Sequence, residues 1–246
     1  MQIRAIDIRS GINKARFHLL KYGNVVETNS WQGVKCPPMF LEILNLNLMM
    51  PMTDGLDSLK KETNPFLPWA EDHFQERIAG EPVNPPPSHK IWLKGNEDFL
   101  TDNKFSHSYP ERLWPKTLMP NGIRFNTADL SDAITLLKKD PTTRQCYIPI
   151  FFPEDLNAAI EGERVPCTLG WQFIVRNEKM HCFYPMRSCD AIRHFHNDIF
   201  FANRMTLFLI EAAGINATPG TLNFSCTSFH CFENDKYTLK KLTGGN

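Results

Sequence analysis

Two β-prone runs joined by a polar turn, then a long apolar helix and a further strand, constrain the fold of this chain more than any other stretch. Trp171 to Arg176 and Lys179 to Tyr184 read as strands, with Asn177-Glu178 as the turn between them. From Asp198 to Ala213 apolar residues dominate a helical pattern, which predicts a largely buried helix, with Asn197 as its N-cap and Gly214 as its stop. Thr221 to Phe229 is again strand-like. Upstream, Phe40 to Met49 predicts a strand ended by Pro51, and Cys146 to Phe152 predicts another. Leu130, Ala133, Ile134 and Leu137 recur at helical spacing, with Lys138-Lys139 suiting the C-terminal end of that helix. Strands and helices mix without strict βαβ alternation, so the expected class is α+β. The breaker-rich segment Glu81-Pro82-Val83-Asn84-Pro85-Pro86-Pro87 predicts an extended surface loop. Aromatic and apolar residues continue on both sides of it, so residues 1–246 read as one domain.

Lysine plus arginine equals aspartate plus glutamate, 27 each, which leaves no global positive field to collect a nucleic acid polymer. The opening MQIRAIDIRSG lacks the apolar core of a secretory signal. The longest apolar stretch, Ile199 to Ile210, is interrupted by Asn203 and Arg204 and is too short to span a bilayer. The seven cysteines are odd in number, dispersed and without a CxxC pair, so no metal is expected and reduced thiols in a cytoplasm are the simplest account.

The residues that carry chemistry cluster between positions 167 and 198. Carbon 5 of a pyrimidine is a poor nucleophile, and thiolate addition at C6 makes it enamine-like and able to attack a one-carbon electrophile. That step needs a thiol on a rigid element near positive charge. Cys167, preceded by Pro166 and followed by the strand at Trp171, fits, with Arg187 available from a neighbouring strand. Taken alone, a cysteine is more often a small buried apolar residue, and Arg-Ser is more often a surface dipeptide. Together with Cys167, Arg187 and Ser188 read as a grip on a 5′-phosphate, because a guanidinium fork matches phosphate oxygens. Asp198 can accept from N4 of cytosine and share a proton with N3, whereas uracil presents the pattern that an amide complements. His194-Phe195-His196 has no cluster of ligating residues around it and reads as ordinary polar histidines.

From Arg164 to Phe232 the chain resembles the catalytic half of the thymidylate synthase superfamily. Pro166-Cys167 matches the nucleophile motif, Gln172-Phe173 the strand after it, Arg187-Ser188-Cys189-Asp190 the phosphate- and base-binding signature, and His230 the sugar-binding histidine. Four details resemble its cytosine-specific branch, the deoxycytidylate hydroxymethylases found in phage. Thr168 follows the cysteine, Met186 precedes Arg187, Phe195-His196-Asn197-Asp198 resembles FRND, and Gly95 stands three residues after Ile91-Trp92 where synthases carry a second tryptophan. In the family that tryptophan shields the exocyclic methylene from water, so its absence implies a hydroxymethyl product.

The resemblance implies a mixed sheet flanked by helices, a homodimer packed sheet to sheet with shared active sites, and 5,10-methylenetetrahydrofolate as co-substrate to dCMP. It assigns water organisation to Glu71, a central-loop role to Tyr109, substrate contacts to Asp190 and Asn197, and folate contacts to Trp92 and Asp190. Asp140-Pro141-Thr142-Thr143-Arg144 resembles the segment whose arginines reach the partner's phosphate, which implies Arg144. Gln145, Gln32 and Phe232 depart from the family pattern at phosphate and sugar positions. Left open beside hydroxymethylation are a dCMP or CMP methyltransferase that yields dihydrofolate, and a silent nucleotide-binding homologue. A cytoplasmic location, host cytoplasm for a phage protein, is implied in the same way.

Overall fold

The computed structural model describes residues 2–28, 30–31, 34–35, 39–92, 100–114 and 129–244, with side chains at all of these except 30, 31, 34, 35 and 92. In chain order the elements are β1 (Gln2–Arg4), α1 (Ile8–Tyr22), β2 (Asn24–Val26), β3 (Ser30–Trp31), β4 (Val34–Lys35) and β5 (Phe40–Pro51). Then follow α2 (Leu56–Thr63), α3 (Trp69–Ile78), α4 (His89–Trp92), α5 (Tyr109–Leu113), α6 (Leu130–Lys139), β6 (Tyr147–Pro149) and α7 (Asp155–Ile160). The chain continues through β7 (Gly170–Arg176), β8 (Lys179–Asp190), α8 (Phe195–Ala213), β9 (Thr218–Phe232) and α9 (Lys236–Leu242).

The main sheet has seven strands in the order β1-β5-β9-β8-β7-β6, with β2 also pairing β5. β1 runs parallel to β5 and β8 parallel to β9, while the other pairs are antiparallel. This agrees with the α+β class that the pattern of elements predicts and with the mixed sheet that the resemblance implies. Asn177 and Glu178 take left-handed φ values of 49° and 55°, the backbone that turns β7 tightly into β8. Parallel β8 and β9 require a crossover, and α8 supplies it. Its Phe195, Ile199, Phe200, Met205 and Leu209 are buried against β8 and β9.

Several boundaries differ from the sequence reading. The helix predicted from Asp198 begins at Phe195, with His194 at its N-cap. Asn197 therefore lies inside the first turn, where its amide accepts from Phe66 N at 2.9 Å and donates to the Arg193 carbonyl. Strand β8 runs past Tyr184 to Asp190 because its pairing with β9 persists to Asp190 opposite His230. The strand predicted over Cys146 to Phe152 shrinks to Tyr147–Pro149, since Ile150 and Phe151 both donate to the single carbonyl of Leu169.

Alternation along the strands sends Leu46, Leu48, Phe173, Tyr184 and Phe224 into the core. The residues between them, including Asn47, Gln172, Phe183, Asn223 and Ser225, line a shallow depression on the opposite sheet face.

Candidate active site

Cys167 lies where the chain enters β7, directly after Pro166 and one residue before a bridge between Thr168 and Met186 of β8. Its carbonyl accepts from Arg187 N at 2.9 Å. The Arg187 guanidinium then reaches back: Nε donates to the Pro166 carbonyl at 2.8 Å and Nη2 to the Val165 carbonyl at 2.9 Å. That clamp leaves Nη2 at 3.8 Å from Cys167 Sγ. Burial pushes the Cys167 thiol above the ordinary range, Arg187 and Arg164 pull it back, and Asp198 adds to the rise. Arg187 thus acts first as a clamp on the backbone beside Cys167 and second as a charge that favours its thiolate.

Asp198, in the first turn of α8, departs furthest from ordinary behaviour among the site carboxylates. A helix start favours a negative charge, yet burial outweighs it and drives the carboxyl up to about 7, with Arg77 the main opposing charge. The Cys189 thiol donates to Oδ2 at 3.5 Å. Behind Cys167, Tyr109 OH lies 3.1 Å from Thr168 Oγ1, which lies 2.9 Å from Tyr184 OH. Burial, then the nearby Cys167, pushes Tyr109 up to about 12, so it keeps its proton and can donate. Ser108 and Glu111 form a capping box at the start of α5 that fixes Tyr109 as its first residue.

These groups surround a cavity of about 190 Å³. Cys167, Tyr109, Ser188, Asp190, Asn197 and Asp198 all line it, so the structure brings together six residues that the sequence singles out. Arg187 sits behind them as the clamp. Asp190 Oδ1 also accepts from the N–H groups of Ile192 and Arg193, each at 2.8 Å, which ties the cavity edge to the turn before α8. Arg16 of α1 secures the same turn by donating Nε to the Ala191 carbonyl at 2.8 Å.

Other expected residues lie elsewhere. His230 is on β9 outside the cavity lining, its ring edge-on to Phe40 with centroids 5.2 Å apart and its Nδ1 3.3 Å from Ser228 Oγ. Arg144 is exposed between α6 and β6 and does not line its own chain's cavity. Trp92 ends α4, and its side chain, like Gly95 and Gln32, lies outside the described residues. Glu71 turns away from the cavity: Arg204 of α8 donates Nη2 to it at 2.8 Å and Nε at 3.3 Å. Burial works against its ionisation, but bonds from Arg204 and Gln75 hold it below the usual range.

In its stead α3 presents Trp69, His73 and Arg77 to the cavity. These residues recur every fourth position and so share one helix face, whereas Glu71, two residues from Trp69 and from His73, points to another. That spacing is the signal that could have found them. His73 stacks on Trp69 with ring centroids 5.2 Å apart. Burial first, then Arg77, lowers it to about 4, so the imidazole is neutral. His107, His194 and Arg164 also line the cavity. Among the described residues no group of three or more His, Cys, Asp or Glu is placed to hold a metal ion. None of their helices is long and apolar enough to cross a membrane.

A clamped thiol and a buried carboxyl that line one cavity are the parts that a nucleophile-based transferase needs. A family model described as thymidylate synthase matches residues 91–243, more than half of the 246 residues. The chain belongs to the thymidylate synthase family. The mixed sheet flanked by helices is consistent with that family's fold. The family's chemistry is one-carbon transfer to C5 of a nucleotide with methylenetetrahydrofolate as co-substrate. The matched span includes Tyr109, Cys167, Arg187 and Asp198 but begins after α3.

Proposed function

We propose that the protein is a deoxycytidylate 5-hydroxymethyltransferase, which moves a one-carbon unit to C5 of dCMP and completes the reaction with water. The observation that carries this reading is the placement of Asp198, a buried carboxyl pushed up to about 7, in the same cavity as the Cys167 thiol. When a thiolate adds at C6 of cytosine, N3 takes up a proton, and N3 must release it when the thiol leaves. A carboxyl poised near neutrality can do both.

Cys167 Sγ adds to C6 while Arg187 holds the Val165 and Pro166 carbonyls and so fixes the direction of attack. Tyr109 donates from the Thr168–Tyr184 hydroxyl chain, and Ser188 offers a donor to the 5′-phosphate. Methylenetetrahydrofolate supplies the one-carbon unit when bound. Asp190, Trp69, Pro86 and Phe105 line the same cavity, a carboxylate and apolar surfaces that together suit a flat heteroaromatic ring bearing N–H donors, and Trp92 is the further contact that the resemblance assigns. After the co-substrate departs, an exocyclic methylene remains on C5, and water adds to it from the α3 side.

The reading includes a homodimer packed through the open sheet face. The depression lined by Asn47, Phe183 and Asn223 supports it, as does the exposed position of Arg144, available to a partner's phosphate. A cytoplasmic setting follows from the two substrates. The test is incubation with dCMP and methylenetetrahydrofolate and identification of the nucleotide by mass. A gain of CH2O is expected. A gain of CH2 with dihydrofolate means hydride transfer, and turnover of dUMP in preference to dCMP overturns the role of Asp198.

A further inference from the structure

We propose that Arg77 holds the oxygen of the water that adds to the C5 methylene, with His73 as acceptor of its proton; this rests on the hydroxymethyl reading above. Arg77 is 3% exposed and lies between two rings, its Cζ 4.0 Å from the centroids of both Tyr109 and Phe201. Among the described residues, Nε and Nη1 have no hydrogen-bond partner. The side chain lines the cavity. An arginine cannot shed its charge, so two buried and unpaired N–H groups destabilise the ligand-free fold. Arg77 is not a structural prop of the ordinary kind: it is arranged for an acceptor that arrives with the reactants.

The chemistry of the base says which acceptor. The C4–C5 edge of cytosine carries an N4 donor and no oxygen, so nothing on that edge suits a guanidinium. The oxygen that enters there is the water, which becomes the product's hydroxyl. His73 completes the device. Ser88 Oγ donates to Glu76 Oε2 at 2.6 Å, and His73 Nδ1 lies 3.3 Å from both Ser88 Oγ and Glu76 Oε2. Two acceptors around Nδ1 place the proton there, which leaves Nε2 as the ring's acceptor. As the water oxygen bonds to the methylene carbon, its proton passes to His73 Nε2. The methylene π electrons re-form C5=C6, and the C6–S electron pair leaves on Cys167 Sγ. Arg77 steadies the oxygen throughout without exchanging a proton.

The test pairs Arg77→Met with wild type in three measurements: thermal melting without ligand, exchange of the C5 hydrogen of dCMP, and hydroxymethyl product with methylenetetrahydrofolate. The expected variant melts at or above wild type, forms product about 100-fold more slowly, and loses far less of its exchange than of its product formation. Arg77→Lys, which keeps charge but loses the fork, should recover only part of that rate. An Arg77→Met protein that makes product within twofold of wild type overturns the proposal, as does one that melts lower and loses exchange and product together. Failure of the underlying reading shows separately, as a wild type that neither exchanges dCMP nor forms a CH2O product, and it takes the Arg77 role with it.

Discussion

The two walls of the cavity are built on opposite physical terms. On the wall that carries Cys167, Ser188, Asp190 and Asp198, the backbone and the two carboxyls already have partners within the protein. Its arginine is spent on the Val165 and Pro166 carbonyls, and Asp190 accepts from two backbone N–H groups. On the α3 wall His73 is held by Ser88 and Glu76, but Arg77 is buried between aromatic rings with Nε and Nη1 unpaired among the described residues. One wall is organised for geometry, and the other holds polar capacity in reserve for the reactants. In ionisation the two walls agree: burial keeps His73 neutral on the α3 wall and pushes Asp198 towards protonation on the other, so each group shifts towards its uncharged form.

The comparison breaks hardest at the thiol. Cys167→Ser should lower turnover by more than about 10⁴-fold and abolish C5 hydrogen exchange, with melting unchanged. Exchange that survives would remove the covalent route and leave the organised wall without its purpose.

Asp198→Asn comes next, with dCMP turnover reduced by about 10²–10³-fold and dUMP gained as a substrate in competition assays. The same variant tests the pH argument. Asp198 rises from 3.8 to about 7 on folding, so the native state holds an extra proton in between. Its contribution to stability is greatest at low pH and falls as pH rises through about 7, by about 2–4 kcal/mol. His73 falls from 6.5 to about 4, and its contribution is lost as pH drops through that window. Urea unfolding at pH 5 and pH 8 should show wild type losing ground to Asp198→Asn at pH 8. A parallel pair of curves would mean that Asp198 is ionised in the folded protein.

The smallest effect on turnover belongs to Glu71→Gln. It should cost about 1–3 kcal/mol through the lost bond to Arg204 while dCMP turnover stays within about threefold, because the carboxylate lies off the cavity face. A loss of turnover without a loss of stability would return the water-handling role to Glu71.

Much of the organised wall was legible because it is local. Pro166-Cys167, Arg187-Ser188 and Asp198 fall in one stretch whose strand–turn–strand–helix order follows from alternation, a polar turn and an apolar helix. Boundaries were less legible where long-range pairing extended an element, as in β8 beyond Tyr184, or where one carbonyl served two donors, as at Leu169. Asn197 illustrates the limit. Its type suits a cap, but the tertiary fold uses its amide to hold Phe66.

The amino-acid sequence by itself determined the α+β class and singled out Cys167, its neighbours and Asp198, since residue type, order and short-range periodicity encode them. Only the tertiary structure decided which face of α3 meets that wall, and so replaced Glu71 by His73 and Arg77 at the cavity. It also decided that Asp198 titrates near neutrality and that Arg187 clamps backbone. Desolvation and pairing depend on what surrounds a charge from every side, and those neighbours come from elements as distant along the chain as residues 77, 109 and 198.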